Sequence, residues 1–171
     1  MSRENVGITL PPYQQHYIGL TKGDNIEDLI ANHSVDLLQF YSSIPEDKAD
    51  YSYAEGKWTV KQLFQHVIDT ERILAYRAMS ISRNEPMPLY GFDENSYAEN
   101  APASHRTLAS LKEEFVLIRK STDLLFRSFT EEQLAKRGVV NKNTITVNAI
   151  YYILFGHNIH HTNILKDKYL L

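Results

Sequence analysis

KWTVKQLFQHVIDTERILAYR, residues 57–77, is the stretch whose reading decides the fold. Thr59 followed three residues later by Gln62 is a capping box: the hydroxyl accepts from a free N–H and the amide reaches back. A helix therefore opens near Val60, and its apolar period carries it to about Arg83. Leu63, Val67, Leu74, Ala78 and Ile81 form the main stripe, and Phe64, Ile68 and Ala75 widen it. A helix this broadly apolar is covered on much of its circumference.

Three further segments carry the same period, and none shows sustained two-residue alternation. One runs from about Asp24 to Ile44, with Ile26, Leu29, Ile30, Leu37, Phe40, Tyr41 and Ile44 on one face and Pro45 closing it. One runs from about Arg106 to Phe129, where Leu108, Leu111, Phe115, Ile118, Thr122, Leu125 and Phe129 trace the seam of a lengthwise-packed helix. Thr130 and Gln133 then mark a second capping box and a short helical turn, stopped near Gly138. The last long helix runs from about Val147 to Lys168, capped by Thr144 or Thr146, with Ile150, Leu154, Ile164 and Leu165 as its buried face. Four such helices predict an all-α, four-helix-bundle domain over 1–171. Residues 1–23 form an N-terminal extension. Residues 84–105, rich in proline and without helical period, form a long inter-helix loop of a length that is often functional.

The chain has 171 residues, no cysteine, and 18 basic against 21 acidic side chains, a net charge of −3. One domain of this size buries a core without staples. No broad cationic face is available, so nucleic acid is not an expected partner. The absence of cysteine removes thiolate metal sites and cysteine nucleophiles, so any metal must use His, Asp or Glu. The start, MSRENVGITLPPYQQ, lacks a signal-peptide core, and AIYYILF (149–155) is the longest apolar run. The expectation is a soluble cytoplasmic protein that does not engage membranes.

Seven histidines are present. His157 and His161 are four apart, so they stack on one face among Ile150, Leu154, Ile164 and Leu165. An imidazole buried without a partner costs about 1–3 kcal/mol, and one metal ion satisfies both lone pairs. The bland alternative is a pair of core histidines bonded to hydroxyls or backbone. His66, beside Leu63 and Val67, is the best third imidazole. Three neutral nitrogens and an open position define a catalytic rather than a structural metal site. His160 lies at the edge of its face and fits less well. His33 is expected in the core or hydrogen-bonded behind a ligand, and His16 and His105 at the surface.

The 57–77 stretch resembles the second-helix signature of the DinB/YfiT-like superfamily: a Trp, a Ser or Thr cap, a buried His, then an acidic residue and Arg. FGHNIHHTNIL (155–165) resembles that family's last-helix HxxxHH-type motif, and FDEN (92–95) a loop element between its second and third helices. The resemblance runs from about residue 25 to residue 168. It implies a bundle of up-down-down-up connectivity with long connections, a homodimer, and one divalent ion, zinc or nickel, on three histidines. Carried over, these are His66, His157 and His161. Studied members of the family include thiol-dependent S-transferases.

The leading expectation is a metal-dependent S-transferase that adds a low-molecular-weight thiol to an electrophilic small molecule. Tyr90, Phe92 and Tyr97 of the long loop would wall its pocket, and Arg72 or Arg77 would bind a carboxylate of the thiol. The alternatives are a metal-dependent hydrolase, with Asp69 as the helical base candidate, and a non-enzymatic metal-containing stress or binding module. HxxxH here lacks the glutamate of HExxH, so a zinc-protease reading is poor.

Overall fold

The computed structural model describes residues 10–101 and 103–170. The first nine residues, on which part of the leader reading rests, lie outside it.

Four long helices form the bundle: α2 (Ile26–Ser43), α3 (Val60–Ser82), α5 (Leu108–Arg127) and α7 (Val147–Ile164). Each starts where its cap lies. Asn25 Oδ1 accepts from Asp28 N at 3.0 Å, moving the start of α2 two residues past Asp24. The capping box of α3 is formed in full, with Gln62 N on Thr59 Oγ1 at 3.2 Å and Thr59 N on Gln62 Oε1 at 2.9 Å. Thr146, not Thr144, caps α7 through Ala149 N at 3.0 Å. Gly23, at φ +124°, makes the turn into α2; a Cβ there would also lie 2.6 Å from Asp28 Cβ.

Packing runs around the bundle in the order α2–α5–α3–α7, so the consecutive helices α2 and α3 occupy opposite corners. Tyr41 of α2, Phe64 of α3 and Phe115 of α5 lock three corners together, with ring centroids 4.2–5.8 Å apart. Contacts of this geometry contribute about 0.5–1.5 kcal/mol each beyond their buried area.

The sequence reading needs four corrections. The N-terminal extension is partly helical: α1 (Pro12–Leu20), with proline in its first turn, lies along α7. The long loop contains a helix, α4 (Glu94–Asn100), capped by Asp93 on Ser96 N at 2.8 Å, and a 3-10 turn at Ala103–His105. The turn after Phe129 is α6 (Glu131–Ala135), followed by an antiparallel hairpin of β1 (Arg137–Val140) and β2 (Asn143–Thr146). Its two-residue turn, Asn141–Lys142, takes φ of 46° and 67°, the left-handed pair such hairpins need. Leu89 of the long loop adds a short parallel bridge to Val140.

The fourth correction concerns α5. The apolar period puts Ile118 and Leu125 in the seam, yet both are half-buried, while Arg119, Asp123 and Phe126 are buried. Arg119 ion-pairs with Glu71 of α3 at 3.0 Å and with Asp123. Asp123 also accepts from Ser34 Oγ at 2.8 Å and Tyr151 Oη at 3.0 Å. Asn158 Nδ2 donates to Glu71 Oε2 at 3.2 Å. This network ties all four long helices together through polar groups that no apolar pattern reveals. α7 is buried on nearly all sides, because α1, α2, α3 and α6 all contact it.

Candidate metal centre

α3 and α7 pack side by side, and this contact joins His66 to His157 and His161. The Nε2 atoms of His66 and His157 are 3.1 Å apart, as are those of His161 and His157. One ligand nitrogen from each of the three lies within 4.8 Å of the others. All three side chains are at most 9% exposed.

The donor set fits a cation better than it fits itself. A single ring nitrogen carries either one proton or one lone pair. His157 Nε2 therefore makes at most one good hydrogen bond, although it faces two nitrogens at 3.1 Å. A divalent ion accepts all three lone pairs at once. Metal–nitrogen bonds of about 2.0–2.1 Å in tetrahedral geometry place ligand nitrogens roughly 3.3 Å apart. The charge state agrees: burial holds His66 at about 4 and both His157 and His161 well below the ordinary imidazole value. All three are then neutral ligands at neutral pH. On the far side, His161 Nδ1 is buried without a hydrogen-bond partner, so no protein group fixes its tautomer.

Aromatic rings hold the triad in place. Trp58 packs on His66 with centroids 4.8 Å apart, and Tyr17 of α1 stands edge-on to His157 at 5.6 Å. Tyr17 reaches so close because position 156 is glycine: a Cβ there would lie 2.0 Å from the Tyr17 carbonyl oxygen. α1 therefore seats directly on the turn of α7 that carries His157.

The triad opens into a cavity of about 530 Å³. α3 contributes His66, Thr70, Leu74 and Arg77, and α7 contributes Ile153, His157 and His161. Tyr13, Gln14 and Tyr17 of α1, Trp58, Gly91, Phe92 and Glu94, and Val140, Asn141 and Asn143 of the hairpin complete the walls. The three elements missed in sequence thus line this site. A proline-initiated run at Pro11–Pro12 and the Asn141–Lys142 pair were their available signals. Of the loop aromatics, Phe92 lines the cavity. Tyr90 is 91% exposed, and Tyr97 lies in a different cleft with Asp69.

The remaining sequence candidates separate in space. Asp69 accepts from Gln65 Nε2 at 2.9 Å in that other cleft and does not line the triad's cavity. Arg72 is half-exposed and pairs with Glu114 at 2.5 Å on a surface groove. Arg77 is buried and lines the triad's cavity. His33 is not behind a ligand: its Nε2 accepts from Lys22 N at 2.8 Å. His160 packs against His16 and Tyr17, with centroids 5.7 Å and 5.3 Å away. His16 and His105 are exposed, as their positions suggested.

Fold and site together define a helical-bundle protein with a histidine triad suited to one divalent ion at the base of a small-molecule-sized cavity. The family model of the DinB superfamily matches residues 30–165, and the chain belongs to that superfamily. The chain is similar to the solved structure of YfiT from Bacillus subtilis, described as a probable metal-dependent hydrolase with an unusual four-helix bundle topology. That likeness has a TM-score of 0.66 at 17% identity, over 93% of this chain and 87% of that one. It is also similar to the DinB-like protein YjoA from Bacillus subtilis, with a TM-score of 0.55 at 17% identity, over 91% of this chain and 87% of that one. No curated protein matches the chain. Among the described residues, no helix is long and apolar enough to cross a membrane.

Proposed function

We propose that this chain is a metal-dependent enzyme acting on a small molecule, with His66, His157 and His161 holding one zinc or nickel ion. The observation that carries the reading is the convergence of three neutral imidazoles at the base of an open cavity. When bound, such an ion lowers the pKa of a coordinated thiol or water and so supplies a nucleophile near neutral pH.

The chain's own residues provide the rest. Burial keeps the three imidazoles unprotonated. Trp58 and Tyr17 pack against two of the rings, and α1 with Phe92 forms part of the cavity wall. The reaction we favour is transfer of a low-molecular-weight thiol to an electrophile. The S–H proton goes to solvent, an S–C bond forms, and the bond from that carbon to its leaving group breaks with its electron pair. The chain has no thiol of its own, and Glu94, at the exposed rim, is the carboxylate among the cavity's lining residues. That leaves little general-base machinery beside the triad. Hydrolysis is the second reading, favoured by the description of YfiT. We further propose a cytoplasmic homodimer, which light scattering on the purified protein tests.

Metal content decides the core of the proposal. Tag-free wild type is expected to hold about one divalent ion per chain by plasma mass spectrometry, and folded His157→Ala to hold almost none. A metal-free wild type, even after zinc and nickel reconstitution, overturns the assignment. Metal-dependent conjugation of several thiols to a chlorodinitrobenzene electrophile supports transfer. Ester turnover without added thiol supports hydrolysis instead.

A further inference from the structure

Outside the triad, Arg77 is the group in the cavity whose surroundings lack an explanation. It lies eleven residues after His66, which is three helical turns and about 20° of rotation. Both therefore face the same way, separated by a rise of about 16 Å. Thr70 and Leu74 lie between them on that face, and all four line the cavity. The cavity floor is a strip of α3 with the triad at one end and a guanidinium at the other. Side chains on a helix lean toward its N-terminus, so Arg77 leans toward the triad.

Arg77 is nine-tenths buried. One of its five N–H groups is used: Nη2 donates to the Tyr90 carbonyl at 2.7 Å. The guanidinium also lies 5.8 Å from the Phe92 ring centroid. Among the described residues no carboxylate lies within ion-pairing distance. Burial is the main influence on it and pushes its pKa below the ordinary guanidinium value. The other buried arginine, Arg119, shows what a protein normally provides, since it pairs with both Glu71 and Asp123. A buried cation without a counter-charge is costly, and a ligand anion removes that cost. Two further atoms of cavity-lining residues, Thr70 Oγ1 and Gln14 Oε1, are buried without a hydrogen-bond partner.

We propose that the cavity takes an elongated small molecule bearing an oxyanion, carboxylate or phosphate, at the end remote from the triad, and that Arg77 binds that group. This rests on the function proposed above only in placing the reacting end at the triad. A planar fork of N–H donors recognises either oxyanion by two parallel bonds.

The test uses full-length, zinc-loaded protein and three ligand series of matched length, from three to eleven carbons: ω-mercaptocarboxylates, ω-mercaptoalkyl phosphates and ω-mercaptoalcohols. Affinity is read by calorimetry and by the fluorescence of Trp58, the one tryptophan, which lines the cavity. At one intermediate length an oxyanion is expected to bind about tenfold or more tighter than the alcohol. The better of carboxylate and phosphate identifies the natural group. In Arg77→Gln this ratio falls to near one, with zinc content and alcohol affinity unchanged. A ratio near one in wild type, or one that survives Arg77→Gln, overturns the proposal. Should Arg77→Gln not fold, Arg77→Lys is expected to reduce the ratio several-fold, and an unchanged ratio overturns it. Should wild type take up no zinc, the metal reading fails separately. Adipate titrated alone then decides: binding weakened by Arg77→Gln or Arg77→Lys supports the anion site, and equal binding overturns it.

Discussion

Replacing Gly156 by alanine probes how the cavity is closed. A Cβ at this position would lie 2.0 Å from the carbonyl oxygen of Tyr17, 2.3 Å from its carbonyl carbon and 2.8 Å from its Cα. All three are backbone atoms of α1, so no rotamer relieves the contact. Ordinary contact begins at 3.4 Å, so α1 must retreat by 3.4 − 2.0, or 1.4 Å. Overpacking of this kind costs about 1–3 kcal/mol, against about 1 kcal/mol gained by alanine over glycine inside a helix. The two terms act on different equilibria. The gain stabilises α7 wherever α1 lies, whereas the clash exists only while α1 is docked. α1 has no fully buried residue, so undocking is the easiest escape. A clash of about 2 kcal/mol lowers the docked-to-undocked ratio roughly 30-fold. Amide hydrogen exchange over residues 14–20 should accelerate about 10- to 100-fold, with α3 and α5 unaffected. Trp58 should become more accessible to acrylamide, and cavity ligands should bind more weakly. Metal content should hold, since none of the three histidines is on α1. Unchanged exchange and quenching would show that α1 accommodates the methyl. A fall in Tm above about 10 °C would show that α1 belongs to the cooperative core, because about 2–4 °C accompanies each kcal/mol in a domain of this size.

Three other perturbations test separate parts of the account. Arg119→Leu leaves Glu71 and Asp123 buried without their cation, so urea unfolding should report a loss of about 3–5 kcal/mol; a loss below 1 kcal/mol contradicts the network. His33→Ala and His160→Ala should leave metal content at the wild-type level; His33→Ala should cost about 1 kcal/mol of stability through the lost Lys22 bond. A loss of metal in either variant means the ligand set is different. The metal-free protein should weaken as pH falls. His66 is held at about 4 in the folded chain against an ordinary 6.5, so between those values the unfolded chain binds the extra proton. Stability is therefore full above about 6.5 and declines toward 4, by roughly 3 kcal/mol for this group alone. A urea midpoint that stays flat between pH 7.5 and 5 would show that the imidazoles are not buried as described.

The long helices were legible because their signals are local. A capping box fixes an N-terminus within four residues, and a sustained apolar period fixes the face. Both held for α3; α7 opens on a threonine cap without the box, and its apolar run carries the i, i+4 pair His157 and His161. His66 followed from its place beside Leu63 and Val67 on the same helix, and the family resemblance pointed to the same three histidines. Short elements behaved differently. α1 and α4, at nine and seven residues, are too short to be stable alone, so their helicity comes from docking and leaves little periodic trace. The four-residue strands of the hairpin are likewise too brief for alternation to show.

Which polar residues matter was decided by tertiary structure. On a helix buried around most of its circumference, every direction looks inward, so periodicity cannot separate Asp69, Arg72 and Arg77. Only the neighbours do: α4 beside Asp69, Glu114 beside Arg72, and the triad's cavity beside Arg77. The burial of Arg119 and Asp123 follows the same logic. A charged side chain reads as solvent-facing in sequence until a partner such as Glu71, 48 positions away in the chain, is brought against it. By itself the sequence determined, to within about two residues, where the four long helices begin and which residue types could ligate a metal. The packing of α3 against α7 and α1 decided what each of those residues faces.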